Sequence, residues 1–361
     1  MKVLFLTKYG PLAASARQRF LQYLPYLEAH GVQCTVSPLL GDDYLAECLA
    51  GRRAPARSVM AALVRRAGAL LLAGRHDLTV VHYEALPYLP AALERALLRR
   101  PYLCDYDDAI FHIYDQHRSA LVRRLLGGKI SHLMARSAGV VCGSRYLLDY
   151  ARARHTRVCW LPTVVDLSLY PVAPPPRPPR PFTIGWIGSP STAAYLTALA
   201  PALAQLASEG PLRLLLIGSG AVCMPGVPVT VRPWVQNREI ADLGEMDVGV
   251  MPLPDTPWAR GKCGFKLIQY MAAFLPVVAS PVGANCDIVT AHGPDQNGML
   301  AQGTDEWVAA LRRLRDDPLL RLRLGRAGRA AVQARYCLAV SAPRLLDFLR
   351  ETSARIEHAL S

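Results

Sequence analysis

WARGKCGFKLIQYMA occupies residues 258–272, and it changes character along its length. Its first nine residues carry Arg260, Lys262 and Lys266, with Gly261 and Gly264 between them. From residue 264 onward, Leu267, Ile268 and Met271 recur at the spacing of one helical face. Immediately upstream, DVGVMPL (247–253) reads as a strand and residues 254–263 as a loop rich in turn formers. The stretch is therefore a strand–loop–helix junction. A helix N-terminus already carries partial positive charge and unpaired N–H groups, so adding three cations there suits an anion, phosphate first. Gly261 and Gly264 let such a ligand approach the backbone. The alternative is a surface loop with incidental cations; the coincidence with glycines at a strand–helix junction argues against it.

Outward from this junction the same alternation repeats. VLFLT (3–7) predicts a strand, ARQRFLQYLPYLEAHG (16–31) a helix closed by Gly31, and VQCTVSPLL a second strand. Strand, helix and strand within forty residues predict a βαβ unit with parallel pairing. LTVVHY, YLCDYDD, AGVVCGS and RVCWLPTVVD continue as strands, with PYLPAALERALL as a helix between the first two. PVAPPPRPPRPF (171–182) then places seven prolines in twelve residues. It fits neither helix nor central strand and reads as a stiff connector. Beyond it the alternation resumes with FTIGWIGS, LRLLLIGSG, VPVTVRPW, DVGVMPL and PVVASPVG as strands. The expected organisation is an α/β chain of two doubly wound Rossmann-like domains, 1–172 and 182–340, joined by a linker at 173–181. A helical tail (341–361) is expected to pack back on the first domain. Such sheets bind ligands at the carboxyl ends of their strands, so the cleft between the domains is the expected site.

Composition limits the alternatives. Over 361 residues, 52% hydrophobic and 19% charged content marks a folded protein. No apolar run is long enough to span a bilayer, and the first residues do not read as a secretory signal. A cytoplasmic protein is expected. Nine cysteines lack CxxC spacing, which predicts reduced, mostly buried thiols. The net charge is +13, and much of it falls in two stretches without Asp or Glu, residues 52–75 and 117–136. Both mix cations with Leu, Val and Ala at helical spacing. They predict attraction to an anionic membrane surface, peripheral on its inner face. No nucleic-acid motif or interleaved aromatics accompany them, so nucleic acid is not an expected partner.

The stretch from Gly261 to Gly283, with GFKLIQYMA, PVVASPVG and the Asn297–Gly298 turn after it, resembles the nucleotide-sugar half of retaining GT-B glycosyltransferases of family 4. IGWIGS and LLLIGSG resemble that family's two nucleotide-facing strand ends, and the resemblance covers nearly the whole chain. It implies a GT-B fold, two Rossmann-like domains facing across a cleft, and an enzyme. The implied reaction moves a sugar from a nucleotide diphosphate sugar, UDP favoured and GDP the alternative, to a hydroxyl acceptor. A saccharide or lipid-linked acceptor for cell-surface polysaccharide or glycolipid fits that reading.

The departures are specific. Where the family has two glutamates eight residues apart, this chain has Gly261 and Gln269. Gln269 retains an amide oxygen for the ribose hydroxyls, but Gly261 retains nothing for the sugar. The family's Arg and Lys after the first strand of this domain are also missing. Gly188 is followed by Ser189, Pro190, Ser191 and Thr192. The expectation is a sub-branch whose diphosphate cations have moved to Arg260, Lys262 and Lys266. Arg260 and Lys266 then stabilise the leaving diphosphate. Gly10, Gly188, Ser189, Trp234, Gly261, Lys262, Phe265 and Gln269 form the expected donor-binding set, with Trp234 either near the base or in the core.

In the first domain CDYDDAIFH (104–112) ends a strand with three carboxylates, Asp105, Asp107 and Asp108. Asp107 and Asp108 are expected to grip acceptor or donor-sugar hydroxyls. His82, Tyr83 and Glu84 end another strand that can line the acceptor side, although a packed or capping role is the preferred reading of His82. No metal ligand set and no cofactor is expected, because the cationic loop itself neutralises phosphate. Two other readings stay open: a non-catalytic nucleotide-sugar-binding scaffold at membranes, and a GT-B epimerase or phosphorylase.

Overall fold

Continuous apolar runs become buried parallel strands when helices cover both faces of a sheet, and the chain builds two such sheets. The structure is a computed structural model. It describes residues 1–361 apart from 50, 51, 53, 54, 99, 100, 175–179 and 361. Arg53 of the first basic stretch, residues 175–179 of the expected linker and the last residue of the tail therefore lie outside the described residues. The first sheet is formed by β1 (Lys2–Tyr9), β2 (Gln33–Leu40), β3 (Leu78–His82), β4 (Tyr102–Tyr106), β5 (Gly139–Cys142) and β6 (Val158–Trp160). The second is formed by β7 (Phe182–Ile187), β8 (Leu212–Ile217), β9 (Val229–Arg232), β10 (Val248–Met251), β11 (Val277–Ala279) and β12 (Met299–Leu300).

All pairings within both sheets are parallel, in the orders β2-β1-β3-β4-β5-β6 and β12-β11-β10-β7-β8-β9. The second order is that of a dinucleotide-binding sheet, and each sheet reverses direction once. The reversal falls between β1 and β3 in the first and between β7 and β10 in the second, and ligands of such sheets bind beside these points. This is the doubly wound α/β architecture expected from the sequence.

Contacts divide the chain into two units: 1–163 with Arg260–Cys263 and Leu338–Ser361, and Val164–Ala259 with Gly264–Cys337. In the second unit, alternate residues of β8 serve opposite faces. Leu212, Leu214 and Leu216 join a core under helices Ala200–Glu209 and Gly303–Asp316. Leu215 and Ile217 join the core that holds helix Phe265–Ala272. Gly249 on β10 has no Cβ because the Tyr270 ring lies where one would be, 2.3 Å away. That close fit brings the Tyr270 hydroxyl to the Ile187 N–H, which donates to it at 2.9 Å. Helix Phe265–Ala272 is thereby tied to the carboxyl end of β7.

Several expectations change. The helix predicted over 16–31 is broken into Ala14–Arg19, a single turn at Leu21–Tyr23, and Leu24–Ala29. Pro25 cannot donate to the preceding turn and crowds its carbonyl, so it starts a new helix. The basic stretch 117–136 becomes two helices, Ala120–Leu126 and Lys129–Arg136, interrupted at Gly127–Gly128. All nine cysteines are free, but only four are buried and three are exposed, so burial accounts for fewer than expected. Helix Leu338–Leu360 packs against Leu24–Ala29, and its Arg350 donates to the His30 carbonyl at 2.8 Å. Among the described residues no helix is long and apolar enough to cross a membrane.

Candidate functional site

In the second unit, the residues expected to hold the donor gather at the carboxyl edge of the sheet. β7 ends at Ile187, and Gly188 and Ser189 follow it at the point where the strand order reverses. A Cβ on Gly188 would sit 2.5 Å from the Trp186 ring and 2.7 Å from Lys266 Cε. The glycine leaves room for Lys266, whose ammonium lies 5.2 Å from the Trp186 ring centroid. Lys266 is in the first turn of helix Phe265–Ala272, beside Phe265, and Gly264 leads into that helix with φ +67°. Gly218, at the end of β8, also has positive φ (+73°), and a Cβ there would meet the Gly188 carbonyl at 2.4 Å. Two glycines thus keep the edge flat beneath one ammonium and one helix N-terminus, an arrangement that favours an anion.

Trp234 and Gln269 are joined through a residue that the sequence reading missed. Glu239, at the start of helix Glu239–Leu243, accepts from Trp234 Nε1 through one oxygen and from Gln269 Nε2 through the other, both at 2.6 Å. A carboxylate only accepts, so the buried Gln269 must turn its NH₂ toward Glu239 and its oxygen away. A glutamate at 269 would instead face Glu239 carboxylate to carboxylate. Glu239 therefore favours an amide over a carboxylate at position 269. Nothing in sequence spacing flags Glu239, because it lies thirty residues from Gln269.

The first unit holds a second cluster, at the ends of β3 and β4. Asp105 forms a buried, two-pronged ion pair with Arg19 (3.0 and 2.6 Å), and Arg19 also donates to the Leu161 carbonyl. Asp105 is thus structural, and it locks the first helix to β4. Asp107 Oδ1 accepts from His82 Nε2 at 3.0 Å and from the Tyr83 hydroxyl. Tyr83 has φ 68°, a strained conformation for a tyrosine. Burial alone would raise Asp107. The His82 hydrogen bond and charge, with Arg19 and the Tyr83 hydroxyl, outweigh it and hold the carboxyl down at about 2. Asp108 is raised by burial, against the pull of Lys262 and with the push of the Asp107 charge. Glu84, expected on the acceptor side, turns inward. It accepts from Lys129 (2.6 Å) and the Tyr114 hydroxyl (2.7 Å), an arrangement that satisfies a buried ammonium.

The cations of the 258–272 stretch divide between the units. Arg260 and Lys262 belong to the first and Lys266 to the second. Lys262 Nζ donates to Asp108 Oδ1 at 2.9 Å. A Cβ on Gly261 would come within 2.3 Å of the Ala109 Cβ, so packing leaves no room for a side chain at 261. Cys263 donates its thiol to the Asp107 carbonyl and is pushed well up by burial, which leaves it inert as a nucleophile. Gly10 sits at the end of β1. A Cβ there would meet Asp42 Oδ1 at 2.6 Å, and that carboxylate holds the loop through the Leu12 N–H. Arg17 donates to the Pro11 and Leu12 carbonyls of the same loop. Among the described residues no three His, Cys, Asp or Glu side chains gather as a metal-binding group.

Residues 181–317, which make up most of the second unit, match the family described as "Glycosyl transferases group 1". Among curated protein sequences none matches the chain. Solved structures resemble it over nearly its full length. Sucrose-phosphate synthase from Thermosynechococcus elongatus has a TM-score of 0.72 at 17% identity, covering 98% of this chain and 100% of that one. Anabaena HepE in complex with UDP-glucose gives 0.67 at 17%, covering 97% and 100%. A Rickettsia africae glycosyltransferase gives 0.68 at 10%, covering 97% and 98%. The fold is GT-B, and together with the group 1 match over residues 181–317 it supports a transferase.

Proposed function

We propose that the protein is a retaining glycosyltransferase of a family 4 sub-branch, using a nucleotide diphosphate sugar, UDP favoured over GDP. The observation that carries this reading is the pairing of Gly188 with Lys266 at the reversal point of the second sheet. The diphosphate lies over Gly188 and Ser189, with its charge met by the Lys266 ammonium and the N-terminus of helix Phe265–Ala272. Charge grows on the leaving oxygen as the glycosidic bond breaks. A fixed ammonium and fixed N–H dipoles stabilise that charge without reorganising, which lowers the barrier. Gln269, oriented by Glu239, offers its amide oxygen to the ribose, and Trp234 stands beside the same carboxylate. The HepE structures with UDP and UDP-glucose are consistent with a uridine donor.

Asp107, held ionised by His82 and Tyr83, accepts a sugar hydroxyl hydrogen bond. Asp108 and Lys262 supply an acceptor and a donor beside it. Arg260 adds positive charge on the same unit. The acceptor is a saccharide or a lipid-linked hydroxyl for cell-surface polysaccharide or glycolipid, presented at the inner face of an anionic membrane, with no metal needed. The two basic stretches support the membrane part of this reading.

A thermal-shift panel of UDP-, GDP-, ADP- and dTDP-sugars tests the donor, since ligand bound to the native state raises its stability. A UDP-sugar should give the largest rise, and no rise with any of them refutes the reading. One observation favours a second reading, a non-catalytic nucleotide-sugar binder. Gly261 and Gln269 stand where the resemblance places two glutamates; Ala109 leaves no room for a side chain at 261, and the Glu239 carboxylate disfavours a second carboxylate at 269. Binding without transfer or hydrolysis in a mixed-acceptor screen would establish it.

A further inference from the structure

The first unit exposes apolar side chains in a pattern that packing does not explain. Helices Ala56–Leu72, Ala91–Leu98 and Lys129–Arg136 pack side by side. Helix Ala120–Leu126 joins them through Phe111–Asp115, which packs on Lys129–Arg136. All lie in connections running β2 to β3 to β4 to β5, and right-handed crossovers put such connections on one face of the sheet. Each helix also has buried apolar residues: Ala62 and Leu70, Leu98, Leu126, and Ile130 and Leu133.

Three of the helices also carry an outward apolar pair at i,i+4. Met60 and Val64, Leu93 and Leu97, and Leu121 and Leu125 are each between 43% and 66% exposed. The charge of this layer is also sorted. Lys129 points inward to Glu84 and Glu94, and Arg66 inward to the Thr7 carbonyl. Arg57, Arg65, Arg123, Arg124 and Arg136 stay exposed, and the one carboxylate on these four helices, Glu94, is buried.

Between helices Ala91–Leu98 and Lys129–Arg136 lies a recess of about 260 Å³. It is lined by Arg95, His132 and Arg136, with Ala91, Ala92 and Ala135 as its apolar wall. Neither arginine has a side-chain hydrogen bond or ion pair among the described residues. Leu93 and Leu97 stand on the same helix as Arg95.

We propose that this layer docks on an anionic phospholipid bilayer, with the recess holding one lipid phosphate headgroup and the three apolar pairs entering the acyl boundary. Unpaired arginines match phosphate in charge and geometry, and leucines flanking them match the depth just below a headgroup. A second copy of the chain would bring arginines against arginines across a two-fold interface, which disfavours self-association. The proposal deepens the membrane part of the function given above and is independent of sugar transfer, because binding is measured without turnover.

The experiment is vesicle flotation of the full chain with phosphatidylcholine alone and with about one-third phosphatidylglycerol. The protein should float with the anionic vesicles. Arg95→Gln/Arg136→Gln should weaken that binding roughly thirtyfold, at about fivefold for each cation near the surface. Leu93→Ser/Leu97→Ser should weaken it about tenfold or more through lost apolar burial. A double replacement of exposed arginines on the second unit, Arg313→Gln/Arg326→Gln, should leave it within about threefold. Unchanged melting temperature and UDP-sugar binding in each variant separate this result from misfolding and from failure of the donor reading.

Equal binding to neutral vesicles, no flotation, or arginine variants that bind like the wild type overturns the proposal. So does release from vesicles by inorganic phosphate, which would make the recess a small-anion site. Concentration-dependent dimerisation that is lost with the leucine pair would replace the bilayer by a second copy.

Discussion

Replacing Lys266 by methionine separates the diphosphate contact from everything else the side chain does. The stem still lies beside Trp186 and Gly188, so shape at the end of β7 is kept. The loss of one half-exposed cation–π contact costs less than about 1 kcal/mol of stability. A charge-assisted hydrogen bond to a phosphate oxygen contributes about 1.5–3 kcal/mol, a roughly ten- to 150-fold change in Kd. Isothermal titration with UDP should show that loss, whereas uridine, which has no phosphate, should bind the variant and the wild type alike. In turnover, kcat/KM should fall by at least the same factor. If kcat falls further than binding does, the ammonium meets charge that develops on the leaving oxygen. UDP affinity within about twofold of wild type refutes the reasoning, since a contact of this class cannot be that weak.

Further expectations follow from the same geometry. Gln269→Glu should lower stability by about 1–3 kcal/mol in urea unfolding, because it sets a carboxylate against Glu239; the swap Glu239→Gln/Gln269→Glu should recover most of the loss. Asp107 has its folded value held down at about 2. Its contribution, roughly 2 kcal/mol, is therefore present above the ordinary carboxylate value of about 3.9 and is lost as pH falls toward 2. Acid unfolding followed by circular dichroism should lose that steep limb in Asp107→Asn. Gly218→Ala should cost at least about 2 kcal/mol in thermal melting and reduce UDP affinity, because it strains a left-handed backbone and displaces the Gly188 carbonyl.

The strands were readable because their chemistry is local. Buried parallel strands are written as unbroken apolar runs, and β1, β7 and β8 could hardly be anything else. The helix at 265–272 was readable for the same reason, from the spacing of Leu267, Ile268 and Met271. What escaped was set by partners distant in sequence. Arg19 looks like any helix cation until Asp105, eighty-six residues away, takes it into the core. Lys129 read as part of a basic surface, but two buried glutamates claim it. Gly261 read as a loop glycine open to ligand, and Ala109 is what requires it. The outward leucines at 93 and 97 were hidden because an inward and an outward leucine look identical in a string of letters. Gln269 stands out by its place in the helix, but its partner, Glu239, appears only when strand ends are brought together.

Helix Leu338–Leu360 has a consequence for how the protein is made. It belongs with residues 1–163, yet it is translated after the whole of 164–337. Leu345, Leu346 and Leu349 are buried in the finished molecule. The amino-terminal half therefore leaves the ribosome with a greasy gap on one side and waits for the rest of synthesis before it can close. During that interval it is the piece most exposed to aggregation and to chaperones. A fragment cut at residue 163 would carry the same gap permanently, so a soluble amino-terminal domain requires grafting 338–360 back onto it.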